Sequence, residues 1–130
     1  MLTFLDPASV HNPGAAYSHS AVVPAGTELV FLAGQVGVRP DGSAAASIVE
    51  QAEQVFANIS EVLAAHGLSA SALVKLTTFL VAGQDIQAVR AARSKFLGGH
   101  RPASTLVYVP QLADPAWLVE VEAIAARSDA

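Results

Sequence analysis

His100-Arg101-Pro102-Ala103-Ser104-Thr105-Leu106-Val107-Tyr108-Val109, followed after a short connection by Leu118-Val119-Glu120-Val121-Glu122-Ala123-Ile124-Ala125-Ala126, is the stretch that decides the fold. Both runs read as strands, rich in apolar and β-branched residues. The second carries two acidic residues inside an otherwise apolar run. Glu120 and Glu122 are two positions apart and project from one face, while Val119, Val121 and Ala123 project from the other. One face of the sheet is therefore apolar and buried. The other is polar enough to line a cleft or an interface.

Working back from this stretch, Asp85 is placed to cap a helix over about Ile86–Leu97, which Gly98-Gly99 ends. Ala72–Val81 reads as a strand. Ile48, Ala52, Val55, Phe56, Ile59, Val62 and Leu63 recur at spacings of three and four, predicting a helix from about Ser47 to His66 with Gly67 as its stop. Pro40-Asp41-Gly42 is a turn. Gly34-Gln35-Val36-Gly37 is extended chain whose glycines permit a bulge or a close backbone approach. Further back, Glu28–Ala33 is a buried strand and Tyr17–Val23 alternates. The Pro24–Thr27 turn between them predicts a hairpin. The order strand, strand, helix, strand, helix, strand, strand predicts a single two-layer α+β domain over residues 1–130. Two helices lie on one face of one sheet. The opposite face then needs a cover, and further copies of the chain are the simplest one.

Composition agrees with that expectation. Of 130 residues, 52% are hydrophobic and only 14% charged, an apolar balance for so small a chain. Seven basic residues stand against eleven acidic ones, a net charge of -4, and no basic cluster appears in the sequence. A nucleic-acid partner is not expected. The absence of cysteine removes disulfides, thiolate metal sites and cysteine nucleophiles. No apolar run reaches the ~18 residues of a membrane span, and Met1–Asp6 lacks a signal-peptide pattern. A cytoplasmic protein without membrane contact is the expectation.

Chemistry-bearing residues are few. His11, His19, His66 and His100 are scattered without metal-ligand spacing. There is no phosphate-binding glycine loop and no Gly-x-Ser-x-Gly elbow. Glu120 is the leading candidate for general acid/base work through a bound water. The alternative is a carboxylate that pairs with a cation or with backbone N–H groups at an interface. Arg101, held extended by Pro102 at a strand mouth, is placed to clamp a carboxylate or to sit solvated in its loop. Tyr17 brings a phenol near an apolar face. Arg90 reads as solvated. Arg93 reads as a stem packed on the helix stripe with its head in water.

The segments Gly34-Gln35-Val36, Leu73–Val81, Arg101-Pro102-Ala103-Ser104-Thr105 and Val119-Glu120-Val121-Glu122-Ala123-Ile124-Ala125 resemble the YjgF/RidA (L-PSP) family from about Gly14 to Arg127. The resemblance implies a chorismate-mutase-like homotrimer with ligand clefts between subunits. It implies cofactor-free hydrolysis of reactive imines or enamines to carbonyl compounds and ammonia. It assigns water activation to Glu120 and places Tyr17, Ala33, Gly34, Ser104 and Leu106 around the substrate. Ala33 stands where a hydroxyl is frequent. Leu106 stands where a smaller residue is common. Ser104 stands where active deaminases carry the arginine that clamps the substrate carboxylate. A charge-assisted hydrogen bond contributes ~1.5–3 kcal/mol, so its loss points either to a less acidic substrate or to a non-catalytic trimer that binds a small molecule or a protein. Arg101, three residues earlier, is the substitute clamp that the sequence offers.

Overall fold

A computed structural model describes residues 1–127. The last three positions of the domain expected over 1–130 lie outside the described residues. The elements run β1 (Thr3–Leu5), β2 (Ser20–Val22), β3 (Glu28–Val36), α1 (Ile48–Ala65), β4 (Leu73–Val81), α2 (Ile86–Leu97), β5 (Ala103–Val109) and β6 (Val119–Arg127). A single 3-10 turn at Ala70–Ala72 leads into β4.

Local chemistry sets both helices. The Ser47 hydroxyl accepts from the Glu50 N–H at 3.1 Å, and the Glu50 carboxylate accepts from the Ala46 N–H at 3.2 Å, so orphan donors at the start of α1 are satisfied from both sides. At its other end Gly67 adopts φ 70°, and the N–H groups of Leu68 and Gly67 return to the carbonyls of Leu63 and Ala64, a Schellman stop. Asp85 caps α2 by accepting from the Gln87 N–H at 2.9 Å, and Gly98 ends it in the left-handed region.

The main sheet has the order β3-β6-β4-β5. Only β4 and β5 are parallel, joined by the α2 crossover. The apolar C-terminal strand β6 thus lies at the centre, between β3 and β4. Val30 and Leu32 of β3, Leu76 and Leu80 of β4, and Val119, Val121, Ala123 and Ala125 of β6 pack beneath Val55, Phe56, Ile59, Leu63 and Val89 of the helices. The opposite face has no cover among the described residues. There Phe31 is 71% exposed, and Leu29 and Val107 are exposed as well.

The expected hairpin does not form. β2 pairs antiparallel with β1, and β3 pairs with β6 instead. The turn after Pro24 is present, with Thr27 N–H donating to Pro24 carbonyl at 3.3 Å. It joins two different sheets. The nine-residue β3 finds a partner of equal length in β6, which covers Val30 and Leu32, whereas β2 is short and finds its ladder in Thr3–Leu5, a segment without a clear strand signature. Ser18 then bridges to Ala103 in parallel, and its N–H donates to the Pro102 carbonyl at 3.2 Å. The N-terminal segment therefore lies beside the start of the edge strand β5.

Candidate functional site

The candidate residues fall into two groups on opposite faces of the main sheet. Glu120 pairs in register with Phe79 of β4, on the face away from the helices. Ser104 pairs with Leu76, a core residue on the helix face. Cross-strand partners share a face, so sheet geometry alone separates the two.

On the open face the decisive feature is a bulge. Leu32 pairs with Ala123 and Gln35 with Val121, which leaves Ala33 and Gly34 together opposite Glu122. A bulge of this kind takes its residues out of the ladder and re-aims the strand. The half-buried Glu120 carboxylate folds over Gly34 so closely that a β-carbon there would collide with it. Glycine at 34 is thus required by the side chain of Glu120. Ala33 is exposed at the same bulge. Glu122, also on this face, neighbours a small pocket of about 130 Å³ shared with Phe31, Lys75 and Thr77. Burial holds the Lys75 ammonium below the ordinary lysine value, with Glu122 pulling the other way. Its three donors go to the Leu76 carbonyl and the hydroxyls of Thr77 and Thr105 at 2.9–3.2 Å.

On the helix side a cavity of about 860 Å³ opens between α2, β5 and the N-terminal segment. Tyr17, Ser104 and Leu106 line it, joined by Tyr108, Arg90 and Arg93. His11 and His100 also reach its wall. Among the described residues no aspartate or glutamate does, although the chain as a whole is acidic.

Arg101 lies elsewhere. Its guanidinium donates to the Asp6 carboxylate at 2.8 Å and to the Tyr17 carbonyl at 2.9 Å, and its own carbonyl accepts from the Ser18 hydroxyl at 2.6 Å. It borders a separate hollow with Asp6, Pro7 and Asn12. Arg101 clips the N-terminal segment to the mouth of β5 and so sets where Tyr17 enters the cavity. Proximity in sequence to Ser104 does not bring it into the cavity, because the extended backbone at Pro102 turns the two side chains to different sides.

The arginine that does enter came from α2. Arg93 is only 9% exposed, its stem buried on the inward stripe as the sequence suggested and its head opening onto this cavity. The signal was present in the helix periodicity: Arg93 lies four residues after Val89 and four before Leu97, both buried, in the middle of the inward stripe. Arg90 stays exposed at the mouth. Among the described residues no cluster of His, Asp or Glu is arranged to hold a metal ion, and no helix is long and apolar enough to cross a membrane.

The pattern of the family described as Endoribonuclease L-PSP matches residues 9–127. The chain belongs to the YjgF/RidA (L-PSP) family. Among its L-PSP relatives, Protein HMF1 of Saccharomyces cerevisiae is 37% identical over 134 residues, covering 99% of this chain and all of that protein. The Escherichia coli protein named "Putative reactive intermediate deaminase TdcF" is 32% identical over 120 residues, covering 89% of this chain and 92% of TdcF. A crystal structure of E. coli TdcF with bound serine superposes with a TM-score of 0.72 at 30% identity, covering 86% of this chain and 88% of that one. YyfB of Yersinia pestis, a Rid-family protein of unknown function, superposes with a TM-score of 0.88 at 28% identity, covering 97% and 98%. The mixed sheet with two helices is thus the α+β fold of solved L-PSP structures.

Proposed function

We propose that the protein hydrolyses the C=N bond of a reactive imine or enamine at a cleft formed between copies of the chain, arranged as a trimer. The observation that carries this reading is the Glu120 carboxylate seated over the Gly34 bulge, on a sheet face whose apolar surround is otherwise uncovered. A carboxylate there can hold water while the bulged backbone groups face the reacting atoms. The name that TdcF carries supports the same chemistry in a relative, and the serine in its crystal structure supports a small-molecule ligand.

In the proposed reaction Glu120 accepts a proton from water as the water oxygen bonds to the imine carbon. The C=N electron pair moves to nitrogen, which takes up that proton from Glu120 to give a carbinolamine. Glu120 then removes the hydroxyl proton and passes it to nitrogen as the C=O bond closes, the C–N bond breaks and ammonia leaves. One imine and one water become one carbonyl compound and one ammonia. Tyr17, Ser104 and Leu106 of one copy and Ala33, Gly34 and Glu120 of another would form the two walls. Apposition of two copies reunites residues that the sheet of one chain keeps apart.

Ammonia release from freshly generated 2-iminobutanoate and from a panel of uncharged imines tests this. Turnover above the uncatalysed rate is expected, falling roughly 100-fold or more in Glu120→Gln. Absence of acceleration on every substrate would leave the family member as a small-molecule or protein-binding trimer.

A further inference from the structure

The large cavity contains a charge arrangement that the candidate residues read from sequence do not account for. Arg93 is buried against Val89 and Leu97, yet among the described residues it forms no ion pair and no hydrogen bond with any protein group. Its side chain lines the cavity instead. No Arg93 nitrogen is both cut off from solvent and unpaired, so the stem is buried while the guanidinium opens onto the cavity, where its donors can meet a ligand. Burial first, and then the neighbouring Arg90 charge, disfavour the Arg93 cation. Among the described residues no acidic side chain lines the cavity, while Arg90 at the mouth adds a second positive charge three residues away.

We infer that Arg93 is a specificity-determining ligand for a small organic carboxylate bound in this cavity, with Arg90 as a second, solvated contact at its entrance. A guanidinium presents paired donors that match a carboxylate in two parallel hydrogen bonds. Around it the hydroxyl-bearing Tyr17, Ser104 and Tyr108 supply polar contacts, and Leu97 and Leu106 supply an apolar wall for a short carbon chain. A phosphate is the less suited oxyanion. The start of α2, which a phosphate would seek, already holds the Asp85 carboxylate, which accepts from the Gln87 N–H. This inference deepens the proposed function and rests on it in one respect: the imine that the cleft hydrolyses would carry a carboxylate.

The test uses the full chain in its native assembly and the probes butanoate, its neutral counterpart butanamide, and inorganic phosphate, followed by chemical-shift titration. Butanoate is expected to perturb the cavity residues and to bind at least about tenfold more tightly than butanamide or phosphate. Arg93→Gln is expected to weaken butanoate roughly 10- to 100-fold. Arg93→Lys, a charge without the paired donors, is expected to restore only part of it. Because Arg93 bonds to no other protein side chain or backbone group among the described residues, Arg93→Gln is expected to melt no lower than the parent and to keep its assembly mass. A structural arginine would lower the melting temperature, and an arginine neutralised by a neighbouring subunit's carboxylate would change the mass. Either result overturns the inference. So do equal binding of butanoate and butanamide, tighter binding of phosphate, or unchanged butanoate affinity in Arg93→Gln.

The two proposals fail separately. Butanoate binding through Arg93 without ammonia release from any imine would sustain this inference and sink the hydrolase. Turnover of neutral and anionic imines at equal rates, unaltered in Arg93→Gln, would do the reverse.

Discussion

The two faces of the main sheet divide the candidate residues between them. The open face presents Glu120 and Glu122 from β6, with Lys75 beside Glu122, among exposed apolar residues. The cavity beneath α2 presents Arg90 and Arg93 and, among the described residues, no carboxylate. The open face has a carboxylate over a glycine bulge without an enclosing wall, and the cavity has guanidinium and hydroxyl groups without a carboxylate to activate water. Within one chain the sheet lies between them. Two incomplete surfaces are what a shared cleft between copies would bring together, and either face offers a way to check it.

The largest effect is expected at the centre of the open face. Phe31→Asp places a charge where the proposed assembly would bury an aromatic ring, and the assembly mass in light scattering should fall to that of one chain. Ammonia release should vanish with it. A Phe31→Asp protein that keeps a multimeric mass would mean that the open face is not the contact.

Two glycines of the same strand region sharpen the comparison between site and scaffold. At Gly37 an added β-carbon meets the backbone and β-carbon of Gln51. Gln51 is itself buried, donating to the Ala45 and Ala116 carbonyls and accepting from the Leu118 N–H. Gly37→Ala should therefore destabilise by about 1–3 kcal/mol in chemical denaturation. At Gly34 the added carbon meets only the Glu120 side chain, which can swing away. Gly34→Ala should leave stability within about 0.5 kcal/mol while lowering turnover at least about tenfold, on the scale of a displaced catalytic group. Equal losses of stability in the two variants would remove the distinction.

A smaller effect is expected at the N-terminal clip. The Asp6–Arg101 pair is partly exposed, so Asp6→Ala should cost under about 1 kcal/mol. Because the clip sets Tyr17, ligand affinity in the cavity should fall further than stability does, which parallel titration and denaturation would separate.

The smallest is a pH effect. Lys75 has its folded-state value lowered beneath the ordinary 10.5, so between these two values the unfolded chain binds more protons than the folded one. Stability should rise as pH climbs through that window. Lys75→Met should flatten the rise in thermal melts, and an unchanged slope would refute the assignment.

Helix α2 spans the residues that Asp85 and Gly98 mark out in the sequence, and α1 lies between the expected Ser47 cap and Gly67 stop. These boundaries were legible because capping is decided by side chains within four residues of the helix end. The bulge was legible as a possibility in Gly34 and Gly37. The hairpin was misread because a strand pattern says which face is apolar and nothing about which distant strand covers it. Arg101 was misread for a related reason: one backbone step on an extended chain reverses the direction of a side chain.

Residue types and spacing were enough for the family, the two helices, the apolar C-terminal strand with its acidic alternate positions, and Glu120 as the leading candidate, because these follow from motifs, periodicity and local chemistry. Only the tertiary structure decided the order β3-β6-β4-β5, the clip from Arg101 to Asp6, and the gathering of Arg90 and Arg93 with Tyr17 and Ser104. Those depend on contacts between residues far apart in the chain, where burial and register select the partner and local spacing has no say.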